Sequence, residues 1–301
     1  MIHSGNFSRL LEPGLRKIFF ETYKEKPEQY SKVFHVLKSN KAIETDLRMG
    51  GFTMWNPKGT TDSTEYEDPT KTDIVQYQHV TFSKGFIIEK ELVDDEQYTQ
   101  INKHPKALAR AARSTIEHHA GSIWRDAFKA SPTNFNGEAL VGDHKRLDGG
   151  TTTNFVGKYD LTEENLELAF KLAREQVDER GLQIQMIPKI LVVPPALEFT
   201  AEKIVKSVQL PGTDYNDINP MRGRLQVIVL DYIGENAGGS DKYWFVVDPD
   251  LHQLNWFWRE RLNFKSVTDF DTDQAKYKGR MRFSYGWSDH RGVSGADPDA
   301  A

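Results

Sequence analysis

Apolar and small residues recur at Leu108, Ala112, Ile116, Ala120, Ile123 and Ala127, three or four positions apart. Arg110, Arg113, Glu117, Arg125 and Asp126 fall largely on other faces. This spacing predicts one amphipathic helix over 105–130. Pro105 suits its first turn, where a missing N–H costs nothing. Ser131-Pro132 stops it. About 26 residues at roughly 1.5 Å each make a helix near 40 Å long, against an average of about 11–12 residues in globular proteins. The alanines in its buried stripe require something packed close along much of its length. We read it as a spine.

Upstream, Leu11, Leu15, Ile18, Phe19 and Tyr23 share a helical face, with Pro13 in the first turn and Lys26-Pro27 as the stop. A shorter amphipathic piece carries Tyr30, Val33, Phe34 and Leu37. Residues 1–48 thus read as an arm whose stripes need a partner surface, on the same subunit or on another. Residues 50–55 read as a short strand, and 74–92 as one long strand with Val80, Phe82, Phe86, Ile88 and Leu92 in common parity. Between them, 56–73 is polar and carries Asp62, Glu65, Glu67, Asp68 and Asp73 against Lys58 and Lys71, with Tyr66 its one aromatic residue. Such a segment buries too little apolar surface to hold itself compact. The whole reads as a long two-stranded β-arm, and isolated hairpins are marginal in water. The alternative is a surface loop of about 18 residues, uncommon unless functional or disordered.

A polar turn, 93–104, leads into the spine. Residues 134–159 read as an irregular loop rich in Gly, Asn, Thr and Asp. A helix is expected over 161–180, with Thr162 as N-cap, Asn165 in place of a capping-box acid, and Gly181 as its stop. Residues 189–193 form a buried strand, 197–207 a helix, 210–222 a polar loop, 225–232 a second buried strand and 243–247 a third. That succession gives a mixed sheet with helices on its faces, an α/β unit. Residues 254–262 carry Trp256, Phe257, Trp258 and Arg-Glu-Arg, 276–287 alternate as a long strand, and 294–301 are small, acidic and expected to fray.

Composition changes this picture little. The chain of 301 residues has 38% hydrophobic and 28% charged residues, so it is globular and long enough for one large or two moderate domains. Its net charge of −5 argues against a strong general affinity for nucleic acid or anionic membrane. The absence of cysteine excludes disulfides and thiolate metal sites. The sequence shows no apolar run of the roughly 18–20 residues a span needs, no signal peptide and no fixed-period repeat.

Candidate chemistry is sparse. Glu117, His118 and His119 sit together on the spine, but adjacent helical histidines point about 100° apart and share a metal poorly. Asp143, His144 and Asp148 lie in a loop, open to a metal or acid–base role but read more simply as hydrogen-bonding turn residues. Asp269, Asp271 and Asp273 imitate the opening of an EF-hand, with Gln274 where glycine belongs and Arg280 where the closing glutamate belongs. The Gly-rich runs at 149–150 and 238–239 lack a following GK[ST]. The Trp–Arg mixture at 256–261 suits either a nucleic-acid face or an interface anchor, and the interface is favoured. No catalytic residue, metal site or cofactor is expected. Arms that cannot fold alone, with no chemistry between them, point to assembly.

Several stretches resemble the major capsid proteins of tailed bacteriophages, with the HK97-like fold, and among them the Mu-like head subunits. They are FSKGFIIEKELVDDEQYTQI (82–101), ALARAARSTIEHHAGSIWRDAF (107–128), EALVGDHKRLDGGTTTN (138–154), PKILVVPPALEFTAEKIVKS (188–207) and FWRERLNFKSVTDFDTDQAKYKGRMRFSYGWSDHRG (257–292). The resemblance implies a mixed α/β, α+β capsid fold with an N-terminal arm at 1–48 and an extended E-loop at 49–92 lying on the adjacent subunit. It implies a peripheral domain at 93–159 holding the spine, an axial domain at 160–255, and a return to the peripheral domain at 256–301. Trp55, Lys58, Glu65, Tyr66, Lys71, Trp256, Trp258, Arg259 and Arg261 are the expected inter-subunit contacts. The implied function is a self-assembling shell of hexamers and pentamers around double-stranded DNA, with no enzyme activity. Expected partners are further copies of the chain, a separate scaffolding protein, since no long leading scaffold segment is expected, and a portal. A decoration protein is a further expected partner; the chain's own contact with packaged DNA is expected to be weak and non-specific, and none is expected with membrane. The implied location is the virion, assembled in the host cytoplasm. A nanocompartment shell of the encapsulin type shares the fold and is the first alternative; a hydrolase or metal enzyme using His144 is the second.

Overall fold

The computed structural model describes residues 7–60, 63–68, 71–89, 91–92, 98–130, 137–146, 148–209, 218–269 and 274–300. Ser131-Pro132, Asp62, Asp271, Asp273, residues 93–97 of the 93–104 turn and most of the 210–222 loop lie outside them.

Helix α1 spans Phe7–Glu25, with Pro13 in its interior and not in its first turn. The spine helix α2 spans Lys103–Arg125, ending earlier than its sequence pattern. The chain turns out at Asp126 so that the Ala127 carbonyl accepts the Val141 N–H (2.8 Å) and Phe128 stacks on Phe245. Helix α3, Glu163–Glu175, is capped as expected by the Thr162 hydroxyl on the Asn165 N–H (3.3 Å). It stops before Gln176, whose extended backbone begins a tight excursion. Gly181, with φ of +84°, turns that excursion and does not cap the helix. Helix α4 spans Glu198–Lys206.

The strands are β1 His35–Lys38, β2 Ile43–Met49, β3 Lys71–Gln78, β4 Val80–Ile88, β5 Asp143–Lys145, β6 Thr151–Thr153, β7 Phe155–Gly157, β8 Ile190–Val193, β9 Gln226–Val229, β10 Trp244–Val247, β11 Leu254–Thr268, β12 Ala275–Trp287 and β13 Val293–Ala296. They form a four-stranded sheet ordered β1-β11-β12-β4, a five-stranded mixed sheet ordered β7-β13-β10-β8-β9, and the pairs β2-β3 and β5-β6. The segment expected as irregular loop, 134–159, therefore supplies three short strands.

In the five-stranded sheet, side chains alternate between two cores, as period-two geometry requires. Leu191, Val193, Trp244 and Val246 meet Leu166 and Ala169 of α3 and Ala201, Ile204 and Val205 of α4. Ile190, Val192, Phe245 and Val247 face the other way, toward Ile116, Ala120 and Trp124 of the spine. The spine's other end, with Leu108 and Ala109, joins Leu15 and Phe19 of α1 and Phe264 and Tyr277 of the four-stranded sheet. One helix thus serves both sheets. Gly121 lets the turn after β9 approach the spine, because a Cβ there would collide with the Tyr232 carbonyl. Arg125 Nη1 donates to that same carbonyl (2.8 Å).

Three expectations are corrected here. Residues 74–92 are not one strand. Buried His79 divides them, its ring nitrogens bonded to Ser39 Oγ (2.9 Å) and Ser284 Oγ (3.0 Å), so β3 enters the arm and β4 the four-stranded sheet. Residues 50–55 are not a strand, and β2 lies just before them. Residues 294–300 do not fray. Strand β13 is buried throughout and pairs with β10 and β7. Buried Asn154 secures it, donating to the Val293 carbonyl (2.9 Å) and, across to the 138–142 segment, to the Leu140 carbonyl (2.9 Å). The segment 256–300 thus contributes β12 and most of β11 to the four-stranded sheet and β13 to the five-stranded one.

Candidate assembly surfaces

The arm is built from β2 and β3, paired antiparallel from Ile43–Gln78 to Met49–Lys71. Strands of this length reach about 25 Å. Its root is polar and firmly held. Asp46 Oδ2 accepts from Ser288 Oγ (2.5 Å), and Tyr77 packs on Phe257 (5.0 Å between centroids). Burial pushes the Tyr77 hydroxyl pKa up to about 12.

Beyond the strands the chain runs through 50–60 and 63–68 without a backbone ladder. Side chains fasten it instead: the Thr53 N–H to Glu67 (2.9 Å), Asn56 Nδ2 to Glu65 (3.2 Å) and Lys58 Nζ to Thr64 (3.4 Å). Arg180 ties this loop to the body through Glu67 (3.0 Å) and the Asp68 carbonyl (3.3 Å). Past that tether, Trp55 is 93% exposed, Tyr66 92% and Met54 73%. Large apolar side chains grouped this way on a surface mark an interaction site. Of the five contact residues expected in the arm, Trp55, Lys58, Glu65 and Tyr66 gather at the tip, while Lys71 sits at the far end of the β2–β3 ladder.

The other four expected contacts are placed differently. Trp256 and Trp258 are buried in the subunit's own core. Trp256 stacks on Phe283 (4.6 Å), and Trp258 Nε1 donates to Tyr30 Oη (3.2 Å). Their rings are already covered and do not offer a surface to a neighbour. Arg261 is exposed but lies over the Trp258 ring (4.9 Å), and Arg259 is half-buried. The alternation of 254–258 marked these tryptophans as inward-facing; their size and the neighbouring arginines suggested otherwise.

The N-terminal arm is docked on its own subunit. Glu117, expected off the buried stripe, is buried and accepts the N–H groups of Gln29 (3.1 Å) and Tyr30 (2.9 Å). Burial raises its pKa, against these donors and Arg113. Arg113, also buried, pairs with Glu28 (3.2 Å) and lies 4.0 Å over the Tyr23 ring. The signal missed in the sequence was the i, i+4 pairing of Arg113 and Glu117 beside the stripe.

The remaining polar candidates make contacts within the chain. His118 and His119 meet edge to face at 5.8 Å, and His119 Nδ1 bonds Tyr285 Oη (2.9 Å). Burial lowers both their pKa values. His144 stacks on His290 (3.7 Å) and bonds Glu138 (3.1 Å). Asp148 receives the Gly150 N–H (2.8 Å) in a turn, and Asp269 pairs with Lys276. Among the described residues, no group of three or more His, Asp or Glu side chains is arranged to hold a metal. No helix among them is long and apolar enough to cross a membrane.

A fold with a spine shared by two sheets and an arm projecting from one of them has known counterparts. The profile described as phage capsid protein matches residues 72–294. The chain belongs to the phage capsid protein family. The major capsid protein of Escherichia phage Mu is 28% identical over 167 residues, which are 52% of this chain and 53% of that one. The chain therefore matches about half the length of that relative. In the mature capsid of bacteriophage PhiM1, a subunit of 13% identity aligns over 90% of this chain and 87% of its own, with a TM-score of 0.53. A virus-like particle from Pyrococcus furiosus aligns over 94% and 98%, at 9% identity and a TM-score of 0.52. At such identities the likeness shows the fold alone, and that fold is the HK97-like capsid fold.

Proposed function

We propose that the chain is the major head subunit of a tailed bacteriophage, self-assembling as hexamers and pentamers into an icosahedral shell around double-stranded DNA. The observation that carries this reading is the arm. Its tip presents exposed aromatic rings and charges far along a narrow ladder, a form with little use in a subunit that stays alone. In this reading 49–92 is the E-loop over an adjacent subunit, the four-stranded sheet with the spine is the peripheral domain, and the five-stranded sheet is axial. Many weak contacts then add across a closed shell. The subunit has no catalytic task. A scaffolding protein, a portal and any decoration protein are its further partners, and the assembly takes place in the host cytoplasm.

The likeness to the archaeal particle keeps a second reading, a nanocompartment shell. A cargo enzyme co-purifying with the particles would favour it, and packaged DNA the phage head. The test of assembly is deletion of 56–73 followed by sedimentation velocity and electron microscopy. A folded subunit with few shells is expected; normal shells would refute the role of the arm.

A further inference from the structure

The outer face of the four-stranded sheet carries a pattern that assembly in general does not explain. On β12, Tyr277, Met281 and Phe283 are buried toward the helices, and Lys276, Lys278, Arg280 and Arg282 alternate with them on the opposite face. Strand pairing sets their neighbours, and directly opposed residues share a face. Lys276 lies between Ile87 of β4 and Val267 of β11, and Lys278 between Gly85 and Lys265. Arg280 lies between Ser83 and Asn263. Ile87 and Val267 are 51% and 62% exposed. The result is a basic strip with an apolar margin, in a chain whose net charge is −5. Two acids temper it: Glu260 stands 3.5 Å from Arg280, and Asp269 pairs with Lys276. Lys278 and Lys265 sit side by side and exposed. Beside them Gly85 leaves bare backbone on an edge strand, where a Cβ would collide with the Tyr277 carbonyl.

The complement lies on the arm. Its tip carries Glu65 beside the exposed Trp55 and Tyr66, while Lys58 is turned to Thr64 and Glu67 is held by Thr53 and Arg180. A chain's own tip is tethered elsewhere, at Arg180. We propose that the strip formed by Lys265, Lys276 and Lys278, with the notch at Gly85, is the seat for the arm tip of a second copy of this chain. The inference rests on the reading that the arm overlaps a neighbour, and it names where. A tip ring lies over Gly85 and against Ile87 on the same strand, as aromatic side chains cover bare glycines in sheets. Glu65 faces Lys278 and Lys265. The ring supplies contact area, and the charges set orientation and reject wrong pairings.

The absence of cysteine permits a direct test. Tyr66→Cys and Ile87→Cys are made singly and assembled together. Oxidation of mixed particles is expected to give a cross-linked dimer that neither variant gives alone. In parallel, K265E/K278E and E65K are each expected to lower the assembled fraction about tenfold, and their combination to restore it. Restoration excludes misfolding as the cause, because a second reversal does not repair a fold. Mixed particles without the cross-link, or K265E/K278E assembling at the parental yield, would overturn the seat. If deletion of 56–73 blocks assembly while K265E/K278E does not, the seat alone fails. If neither blocks it, the overlap reading fails as well. Normal assembly with reduced DNA retention in K265E/K278E would reassign the strip to phosphate and overturn the proposal.

Discussion

The five-stranded sheet and the arm are both β-structure, and they settle opposite obligations. Every residue of β8, β10 and β13 is buried, with each face covered by helices of the same chain. The arm has no such cover. Its ladder is two strands wide, its tip lacks a backbone ladder, and its largest side chains stand in solvent. Within one chain, the apolar surface of the sheet is covered by the chain's own helices, and the exposed aromatic surface stands at the end of the arm.

This contrast can be broken at either end. The largest effect is expected for Phe245→Ala. Phe245 is fully buried between Trp124 and Phe128, and emptying such a site costs about 3–5 kcal/mol. Urea unfolding of the unassembled subunit measures this, and a loss under about 1 kcal/mol would contradict the shared core.

A middle-sized effect is expected from acid. His252 lies in the crossing between the two sheets and stacks on His35 at 4.2 Å. Burial, then the neighbouring His35, pushes its pKa from 6.5 down to about 4. The unfolded chain therefore binds the proton more readily. Stability is full above about pH 6.5 and is lost as the pH falls toward 4, by on the order of 3 kcal/mol. Urea midpoints across that window should fall with pH, and His252→Gln should flatten the slope. An unchanged slope would remove His252 as the cause.

The smallest effect on folding is expected for Trp55→Ala, within about 0.5 kcal/mol, because its ring touches solvent. The same substitution should reduce the yield of shells. A destabilised monomer would mean that the ring packs on its own chain.

Much of the fold was legible because its signals are local. The spine stripe, the Thr162 cap and the apolar runs at 190–193 and 244–247 each declare themselves within a few residues. What was missed depends on distant partners. Nothing near His79 announces a break, because its ring is held by Ser39 and Ser284 from other parts of the chain. The small residues of 293–296 look like a tail until Asn154, Phe155 and Phe245 are placed around them. At the candidate surface, the polar run after Trp55 gave the arm away. Trp256 and Trp258 misled because a bulky aromatic residue serves a core and an interface equally well, and burial alone decides between them.

The place of β13 also bears on time. It fills the gap between β7 and β10, although its residues are made long after both. At ribosomal rates of about 5–20 residues per second, several seconds separate Val247 from Ala296. During that interval the edges of β7 and β10 wait for their partner strand, and such distant pairings form slowly. The arm, encoded at 43–78, leaves the ribosome well before β12 and β13. A nascent chain therefore carries its arm before the strands that complete either sheet have been made.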